Sequence, residues 1–340
     1  MNKSASLALL ALLFVGSVST VAAKDKKVVV NVDNFARVET DMQIGRMLKM
    51  AGGINKFGHL RTPTPLDKQS VIRMNRDTLY SFALVDISAG ATAILPDTGK
   101  RYMSMMVINN DGYINKTFHG GGAHKLTMKE FETPYVVLAV RLLVDASDNA
   151  DIKSANGLQD QMKIEAASAK PFVMPDYDME TYNATYKPLL ELSKGLPDSR
   201  RTFGSKAEVD PVRFLLGSAF GWGGLPEHEA FYLNVNPDLP IGQYQVTAKD
   251  VPVDAFWSIS VYNKDGYFQE NKFNSYSVNN ISGTPNKDGS FTVHFGGCED
   301  KRVNCIPLTE GWNYAVRLYR PRPPILDGSW KFPSVEPVKK

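Results

Sequence analysis

Short apolar runs separated by Gly, Pro and Asp turns occupy two long parts of the chain. Runs of this length between such turns are typical of β-strands. In the first part we predict strands at residues 71–74, 79–87, 91–95, 102–109 and 135–144. In the second part we predict strands at residues 230–235, 242–246, 256–262, 290–295 and 314–319. Several short strands with regular turns indicate a β-sandwich or a barrel in each part.

Two other parts of the chain have apolar residues at helical spacing. Near the N-terminus, Asp33 can cap a helix that runs to about Ala51 and stops at two glycines. In the middle, Asp210 followed by Pro211 is a start signal, because proline fits the first position of a helix. In this middle part we predict helices at residues 151–169, 178–194 and 210–219.

One stretch of the sequence occurs twice. Residues 102–114 read YMSMMVINNDGYI and residues 256–268 read FWSISVYNKDGYF, which align without a gap at an offset of 154 (256 − 102). Each stretch is an apolar run that ends in an Asp-Gly hairpin turn. Two flanking matches keep the same order, residues 77–80 with 229–232 and residues 139–142 with 315–318. Repetition at this scale indicates duplicated units.

These patterns together predict a mainly β protein. We expect two tandem, duplicated antiparallel β-sandwich domains, jelly-roll-like in form, with an N-terminal helix and a helical insert between the domains. The predicted boundaries are residues 24–150 for the helix and first β-domain, 151–225 for the insert and 226–340 for the second β-domain.

The start of the chain and its charge restrict the class of protein. Residues 1–23 have the form of a signal peptide, with Lys3, an apolar run at 7–15 and a small-residue cleavage site that ends at Ala23. We therefore predict a periplasmic or secreted protein without an integral membrane segment after cleavage. The formal charge is +3, and no Lys/Arg cluster indicates nucleic acid as a partner.

A set of local motifs gives the sequence a resemblance to a known family. The motifs are VIRMNRDTLY at 71–80, GWGG at 221–224, FWSISVYN at 256–263, FGGC at 295–298, NCIP at 304–307, GWNY at 311–314 and RLYRP at 317–321. Together they resemble a bacterial family that combines the domains of unknown function 1254 and 1214. The resemblance implies an exported, mostly β, two-domain protein and implies no particular reaction. One departure is Asp111-Gly112-Tyr113, where relatives tend to have Asp-His-Tyr, and His119 could take the place of that histidine.

No standard catalytic motif is present, so the candidate site is built from polar residues of the N-terminal half and one tryptophan. We predict a cleft between the β-domains with Asp77 and His124 as catalytic residues, in which a histidine serves as a base. The substrate-binding residues would be His59, Arg76, His119 and Trp222, with Arg76 on an anionic or carbonyl group and Trp222 on a glycine-flanked lid.

The predicted function is hydrolysis of a small molecule or saccharide in this cleft. The alternative is a non-catalytic exported protein that binds a glycan or another partner. The glycines between His119 and His124 would allow both imidazoles to bind one metal ion, but no carboxylate lies at ligand spacing within the loop. We therefore expect neither a metal nor a cofactor.

Two further predictions concern structural residues. Arg141 and Arg317 each lie in an apolar strand, so we predict buried ion pairs with a carboxylate of the same domain, with Asp77 and Glu229 as first candidates. Cys298 and Cys305 are close in sequence and fit a disulfide across a hairpin in an exported protein, and two free thiols are the alternative.

Overall fold

The structure, a computed structural model, describes residues 27–69 and 72–338 of the chain. The predicted signal peptide at residues 1–23 lies outside these ranges. Within them the protein is mainly β, as predicted, with sixteen strands in several sheets and six helices. No helix in the described ranges is long and apolar enough to cross a membrane.

The helices lie at the N-terminus, in the middle and near the end of the chain. They are α1 Phe35–Ala51, α2 Met128–Phe131, α3 Asn149–Gln159, α4 Met179–Ser193, α5 Pro211–Gly221 and α6 Pro323–Leu326. Asp178 and Asp210 cap α4 and α5 by accepting hydrogen bonds from main-chain amides of the first turn, which confirms the predicted start signal at Asp210. Helix α1 begins after Asn34 rather than Asp33 and ends at Gly52, which has the left-handed conformation expected of a C-terminal glycine.

The first β-unit contains two sheets that enclose one apolar core. Its strands are β1 Gly58–His59, β2 Thr78–Asp86, β3 Ala91–Leu95, β4 Met103–Asn109, β5 Ile114–His119, β6 Gly122–Leu126, β7 Tyr135–Leu143 and β8 Lys163–Ala166. The larger sheet has the order β1-β2-β7-β4-β5 and the smaller sheet has the order β6-β3-β8. Met105 and Leu138 of the larger sheet and Ala93 of the smaller sheet are buried in the core between them.

The second β-unit repeats this arrangement. Its strands are β9 Ala230–Val235, β10 Tyr244–Ala248, β11 Trp257–Tyr262, β12 Ser277–Asn279, β13 Phe291–Phe295, β14 Cys305–Ile306, β15 Asn313–Tyr319 and β16 Glu336–Pro337. The sheet orders are β12-β11-β15-β9 and β14-β13-β10-β16, and β13 and β14 pair in parallel. Cys298 and Cys305 form a disulfide, as predicted.

The duplicated sequence stretches occupy equivalent places in two sheets, the five-stranded sheet of the first unit and the β12-β11-β15-β9 sheet of the second unit. Reading from β2 and from β9, the strand orders β2-β7-β4-β5 and β9-β15-β11-β12 correspond one to one. The turn after β4 and the turn after β11 also share their hydrogen bonds. The amide of Asn109 donates to the carbonyl of Tyr113 at 2.8 Å, and the amide of Asn263 donates to the carbonyl of Tyr267 at 2.8 Å. The repeat is therefore present in three dimensions.

Two of the predicted elements differ from the structure. The helix predicted at 151–169 ends at Gln159, and residues 163–166 form β8, which pairs with β3. The alternation of exposed Lys163 and Glu165 with partly buried neighbours suits a strand, and β3 supplies a hydrogen-bonding edge. The strand predicted at 71–74 is a turn in its described part, where Arg73 adopts a left-handed φ of 53°. Val71 lies outside the described ranges.

The five-stranded sheet of the first unit and the β12-β11-β15-β9 sheet of the second unit face each other across the junction of the units. Leu84, Met106 and Ala139 of the first unit form one apolar cluster with Phe256 and Tyr319 of the second unit. Because side chains alternate between the two faces of a strand, the residues next to these in sequence point into the separate cores of the units. We call the facing surfaces the inner faces.

Candidate functional site

Each inner face carries the same three polar residues in a row across neighbouring strands. In the first unit, Arg141 of β7 lies opposite Tyr80 of β2 on one side and Ser104 of β4 on the other. In the second unit, Arg317 of β15 lies opposite Tyr232 of β9 and Ser258 of β11. Both arginines and both serines are buried. We call these six residues the polar layer.

Arg317 has a complete set of neutral partners. Its Nη1 donates to Ser260 at 2.9 Å, and its Nη2 donates to the hydroxyl of Tyr262 at 2.7 Å and to two main-chain carbonyls, that of Arg73 at 2.8 Å and that of Met74 at 3.1 Å. Burial alone would lower the pKa of Arg317, but the surrounding hydroxyls and the nearby Asp77 raise it. Arg317 therefore joins the second unit to the segment before β2.

Asp77 lies beside the polar layer at Ser258, the serine opposite Arg317. It is buried, and Ser258 donates a hydrogen bond of 2.5 Å to its Oδ2. Burial raises the pKa of Asp77, which Arg317 and Ser258 oppose only in part. The ion pairs predicted within each unit, Arg141 with Asp77 and Arg317 with Glu229, are not formed among the described residues. Asp77 reaches the second unit instead, because residues 73–77 run along its inner face.

Arg141 is only partly engaged. Its Nη2 donates to the carbonyl of Gly223 at 2.9 Å, and its guanidinium lies 5.5 Å from the centre of the Tyr80 ring. Its Nη1 is buried and has no hydrogen-bond partner within residues 27–69 and 72–338. Burial alone would lower the pKa of Arg141, but surrounding tyrosine hydroxyls, led by that of Tyr80, raise it. The charge is thus retained with one donor unused.

The sequence explains why the equivalent arginines differ. Ser260 and Tyr262 on β11 bind Arg317. Their counterparts on β4, at the repeat offset of 154, are Met106 and Ile108, which cannot accept a hydrogen bond in this way. In the first unit, apolar side chains therefore occupy the positions from which the second unit binds its arginine.

Other buried polar atoms without partners lie around Arg141. They are the hydroxyl of Tyr102, Oγ of Ser104, Nε2 of His119 and Oε2 of Glu229. Ser104 lies opposite both Arg141 and His119 in the sheet, and the rings of Tyr102 and His119 are 6.2 Å apart. Tyr102 and Ser104 are neighbours, but neither hydroxyl forms a hydrogen bond of acceptable geometry. We call these four residues together with Arg141 the unpaired cluster.

The unpaired cluster opens to solvent at His119. Nε2 of His119 lies 2.8 Å from Oε2 of Glu229, which is ion-pair distance, although the angles are not those of a hydrogen bond. The His119 side chain is 26% exposed and that of Glu229 is 11% exposed. Buried polar groups in proteins are nearly always paired. A concentration of unpaired ones beside an opening is therefore a candidate binding site.

Two family descriptions match the chain, and each reads "Protein of unknown function". DUF1254 matches residues 54–127 and DUF1214 matches residues 239–323. The chain therefore carries one match to each of these two domains of unknown function, in the order DUF1254 and then DUF1214. This confirms the resemblance found in the sequence. Within the cluster, Tyr102, Ser104 and His119 fall in the DUF1254 match, whereas Arg141 and Glu229 lie outside both matches.

Solved structures share the fold of this DUF1254–DUF1214 chain. The VPA0106 protein from Vibrio parahaemolyticus is 20% identical, with a TM-score of 0.67 over 91% of this chain and 100% of that one. An uncharacterized protein from Burkholderia cenocepacia is 17% identical, with a TM-score of 0.53 over 90% of this chain and 87% of that one. No curated protein matches. At these identities the likeness shows the fold alone.

The structure does not bring together the six residues predicted to line one cleft. Of these, only His119 lies in the unpaired cluster, and Asp77 lies at the Arg317 end of the polar layer. His59 is on β1, where its Nδ1 is 2.8 Å from Ser81 and burial lowers its pKa. His124 is on β6 of the smaller sheet and packs on Phe118.

Arg76 and Trp222 are fixed by other contacts. The guanidinium of Arg76 donates to the carbonyl of Thr64 and lies 5.1 Å from the centre of the Tyr276 ring. The indole of Trp222 donates to Thr40 of α1 at 3.0 Å, so it is held against the helix and is not placed as a lid. In the described ranges, no three His, Cys, Asp or Glu side chains are grouped to hold a metal ion.

A cavity lies in another part of the molecule. It has a volume of about 590 Å³ and lies beyond the end of β9, whereas Glu229 of the unpaired cluster precedes β9. It contains none of the unpaired atoms. We place the candidate site at the unpaired cluster because the unsatisfied donors are there, and volume alone does not specify chemistry.

Proposed function

We propose that the protein binds a small molecule through an anionic or strongly polarised oxygen at the unpaired cluster. The observation that carries this proposal is the free Nη1 of Arg141, whose counterpart in the repeat, Arg317, is engaged on both terminal nitrogens. A buried guanidinium without a carboxylate partner keeps its full charge and has a high affinity for oxyanions.

The chemistry of the neighbouring groups supports a carboxylate, phosphate or carbonyl oxygen. Arg141, Ser104 and Tyr102 each have a hydrogen-bond donor without a partner. Donors that converge in a buried site stabilise negative charge more strongly than they would in water. The cluster also contains an acceptor, Oε2 of Glu229. The preference for an oxyanion over a saccharide therefore depends on the positive charge of the buried Arg141.

Hydrolysis is a second candidate function, favoured by the pairing of His119 with Glu229. A carboxylate beside an imidazole can orient it as a general base. In this scheme His119 takes a proton from water, and the water oxygen bonds to a carbonyl carbon whose oxygen is held by Arg141. The leaving group then departs with the proton from His119.

Binding of acetate and benzoate to the purified protein, followed by NMR titration, tests the proposal. We expect at least one of them to bind, and Arg141→Gln to weaken that binding by about tenfold or more. Arg322→Gln, at an exposed arginine paired with Asp254, is the matched control and should bind normally. Tyr102→Phe keeps the ring and should also weaken binding.

Either of two results would contradict the proposal. The wild type binds neither acetate nor benzoate, or Arg141→Gln binds these anions as tightly as the wild type does. The hydrolysis candidate has its own test with 4-nitrophenyl acetate. Turnover should be lost in His119→Gln while benzoate binding is kept. Equal turnover in His119→Gln rejects hydrolysis and leaves binding.

Export is also proposed, with the character of residues 1–23 as its support. Mass spectrometry of the protein secreted or released from the periplasm should give a mature chain that begins at Lys24. An intact Met1 in a cytoplasmic fraction would contradict export.

A further inference from the structure

The end of the first β-unit that carries the Asp-Gly turn is covered by helices. Arg37 of α1 donates to Asp111 at 2.7 Å and to Asn110 at 3.0 Å. The ring of Tyr113 stacks on Phe214 of α5 at 4.3 Å. The turn is therefore enclosed by the protein itself.

The equivalent end of the second unit is open. The turn with the same hydrogen bonds, at residues 263–267, borders the cavity of about 590 Å³. Within residues 27–69 and 72–338, no helix makes to this turn the side-chain hydrogen bonds or ring stacking that cover the first turn. Ligand sites commonly have volumes of about 300–1,000 Å³. Charged and polar side chains line the cavity, among them Arg73, Asp238, Lys264, Asp265 and Asn313.

Arg73 is held in place by neutral groups. Its Nη2 donates to Oδ1 of Asn236 at 3.2 Å and to Oδ1 of Asn313 at 3.3 Å, and its amide donates to the carbonyl of Gly266 at 2.8 Å. Its backbone has a φ of 53°, which is uncommon for a residue other than glycine and is often kept at functional sites. Among the described residues, no carboxylate forms an ion pair with the guanidinium of Arg73.

Charges of both signs surround this arginine. Lys264 adds a second positive charge, and Asp238 and Asp265 are exposed carboxylates. None of these four side chains forms an ion pair in the part of the chain that the structure describes, although all of them line one cavity. By contrast, Asp111, the counterpart of Asp265 in the repeat, is paired with Arg37. One small ligand that carries both charges would complement this set.

We infer that this cavity is a second binding site, which takes a small zwitterion such as an amino acid or a short peptide. The carboxylate of the ligand is held by Arg73 and Lys264, and its ammonium group faces Asp238 and Asp265. This site is separate from the unpaired cluster and does not depend on the function proposed there.

The probe for this site is glycylglycine, compared with acetate and ethylammonium, which carry one charge each. NMR titration of the purified protein, followed at the amides of residues 263–267 beside the cavity, should show glycylglycine binding there at least about tenfold more tightly than either single-charge probe. Arg73→Asn removes the cation, and asparagine tolerates the left-handed backbone better than most residues, so this variant should fold. It should bind glycylglycine about tenfold more weakly or not at all.

Arg320→Asn is the matched control, because Arg320 is exposed and has a similar left-handed φ of 51°. Arg320 follows the last residue of β15, at the opposite end of the strand from Asn313, which lines the cavity. This variant, and Arg141→Gln at the other site, should bind glycylglycine as the wild type does. Asp265→Asn should weaken it. The inference is overturned if glycylglycine does not shift the amide signals of residues 263–267, if acetate shifts those signals with equal affinity, or if Arg73→Asn has no effect. Acetate bound at the unpaired cluster alone leaves these signals unchanged.

Discussion

Ser104 and Ser258 allow the same substitution to be compared at two equivalent positions. Both serines are fully buried and lie opposite an arginine of their own unit. Ser258 donates to Oδ2 of Asp77 at 2.5 Å, whereas Oγ of Ser104 has no hydrogen-bond partner among the residues that the structure describes. Substitution by alanine removes one oxygen from each. A difference between the two variants in the free energy of unfolding therefore reports whether the hydroxyl has a hydrogen-bond partner.

The expected magnitudes follow from the partners. Ser258→Ala removes the donor to a buried carboxylate whose Oδ1 is already unpaired, and hydrogen bonds to charged groups contribute about 1.5–3 kcal/mol. We expect Ser258→Ala to lower the free energy of unfolding by that amount. In the wild type, the hydroxyl of Ser104 is removed from water and gains no hydrogen-bond partner, and burying a polar group in this way costs about 1–3 kcal/mol. Ser104→Ala removes this cost. Allowing for a small packing loss, this variant should be neutral or up to about 1 kcal/mol more stable.

Urea unfolding followed by circular dichroism measures both effects. The midpoints should shift in the predicted directions at an unchanged slope, which shows that the denatured state is unaffected. Equal destabilisation of the two variants, or a larger loss for Ser104→Ala, would refute the claim that the first repeat contains an unpaired serine.

Three further predictions concern stability. Although burial raises it, hydrogen bonds led by that from Ser168 lower the pKa of Asp86 to about 2. Because this folded value lies below the unfolded value of about 3.9, the ionised carboxylate contributes about 2 kcal/mol of stability above pH 4, and this contribution is lost as pH falls toward 2. In urea titrations, Asp86→Asn should remove that pH dependence, and an unchanged pH profile would contradict the prediction. Reduction of Cys298–Cys305 should cost about 2–3 kcal/mol, as urea unfolding with and without reductant will show, and no shift would contradict it. Arg317→Ala should cost about 3–5 kcal/mol by the same assay, and a cost below 1 kcal/mol would show that Arg317 does not join the units.

Much of the fold could be predicted because local patterns determine it. The apolar runs at 79–87 and 135–144 became β2 and β7, and the caps Asp178 and Asp210 start helices. Residues 163–166 were misassigned because a short alternating segment becomes a strand only when an edge such as β3 is available. That edge is a tertiary property.

The site was less predictable for a similar reason. The repeat aligns Arg141 with Arg317, but the sequence does not show that the inner faces meet. The missed signal was the change from Ser260 and Tyr262 to apolar residues in the first repeat, which leaves Arg141 without its expected partners. The histidines at 59 and 124 were grouped with His119 by residue type, whereas sheet order separates them.

A crystal structure of the protein grown with sodium benzoate tests the central claim most directly. The account predicts a carboxylate within about 3 Å of Nη1 of Arg141, with the hydroxyls of Ser104 or Tyr102 as further donors. The same crystals should show Arg317 bound only by Ser260, Tyr262 and main-chain carbonyls. The claim is contradicted if Nη1 of Arg141 donates to a protein oxygen and no ligand contacts it.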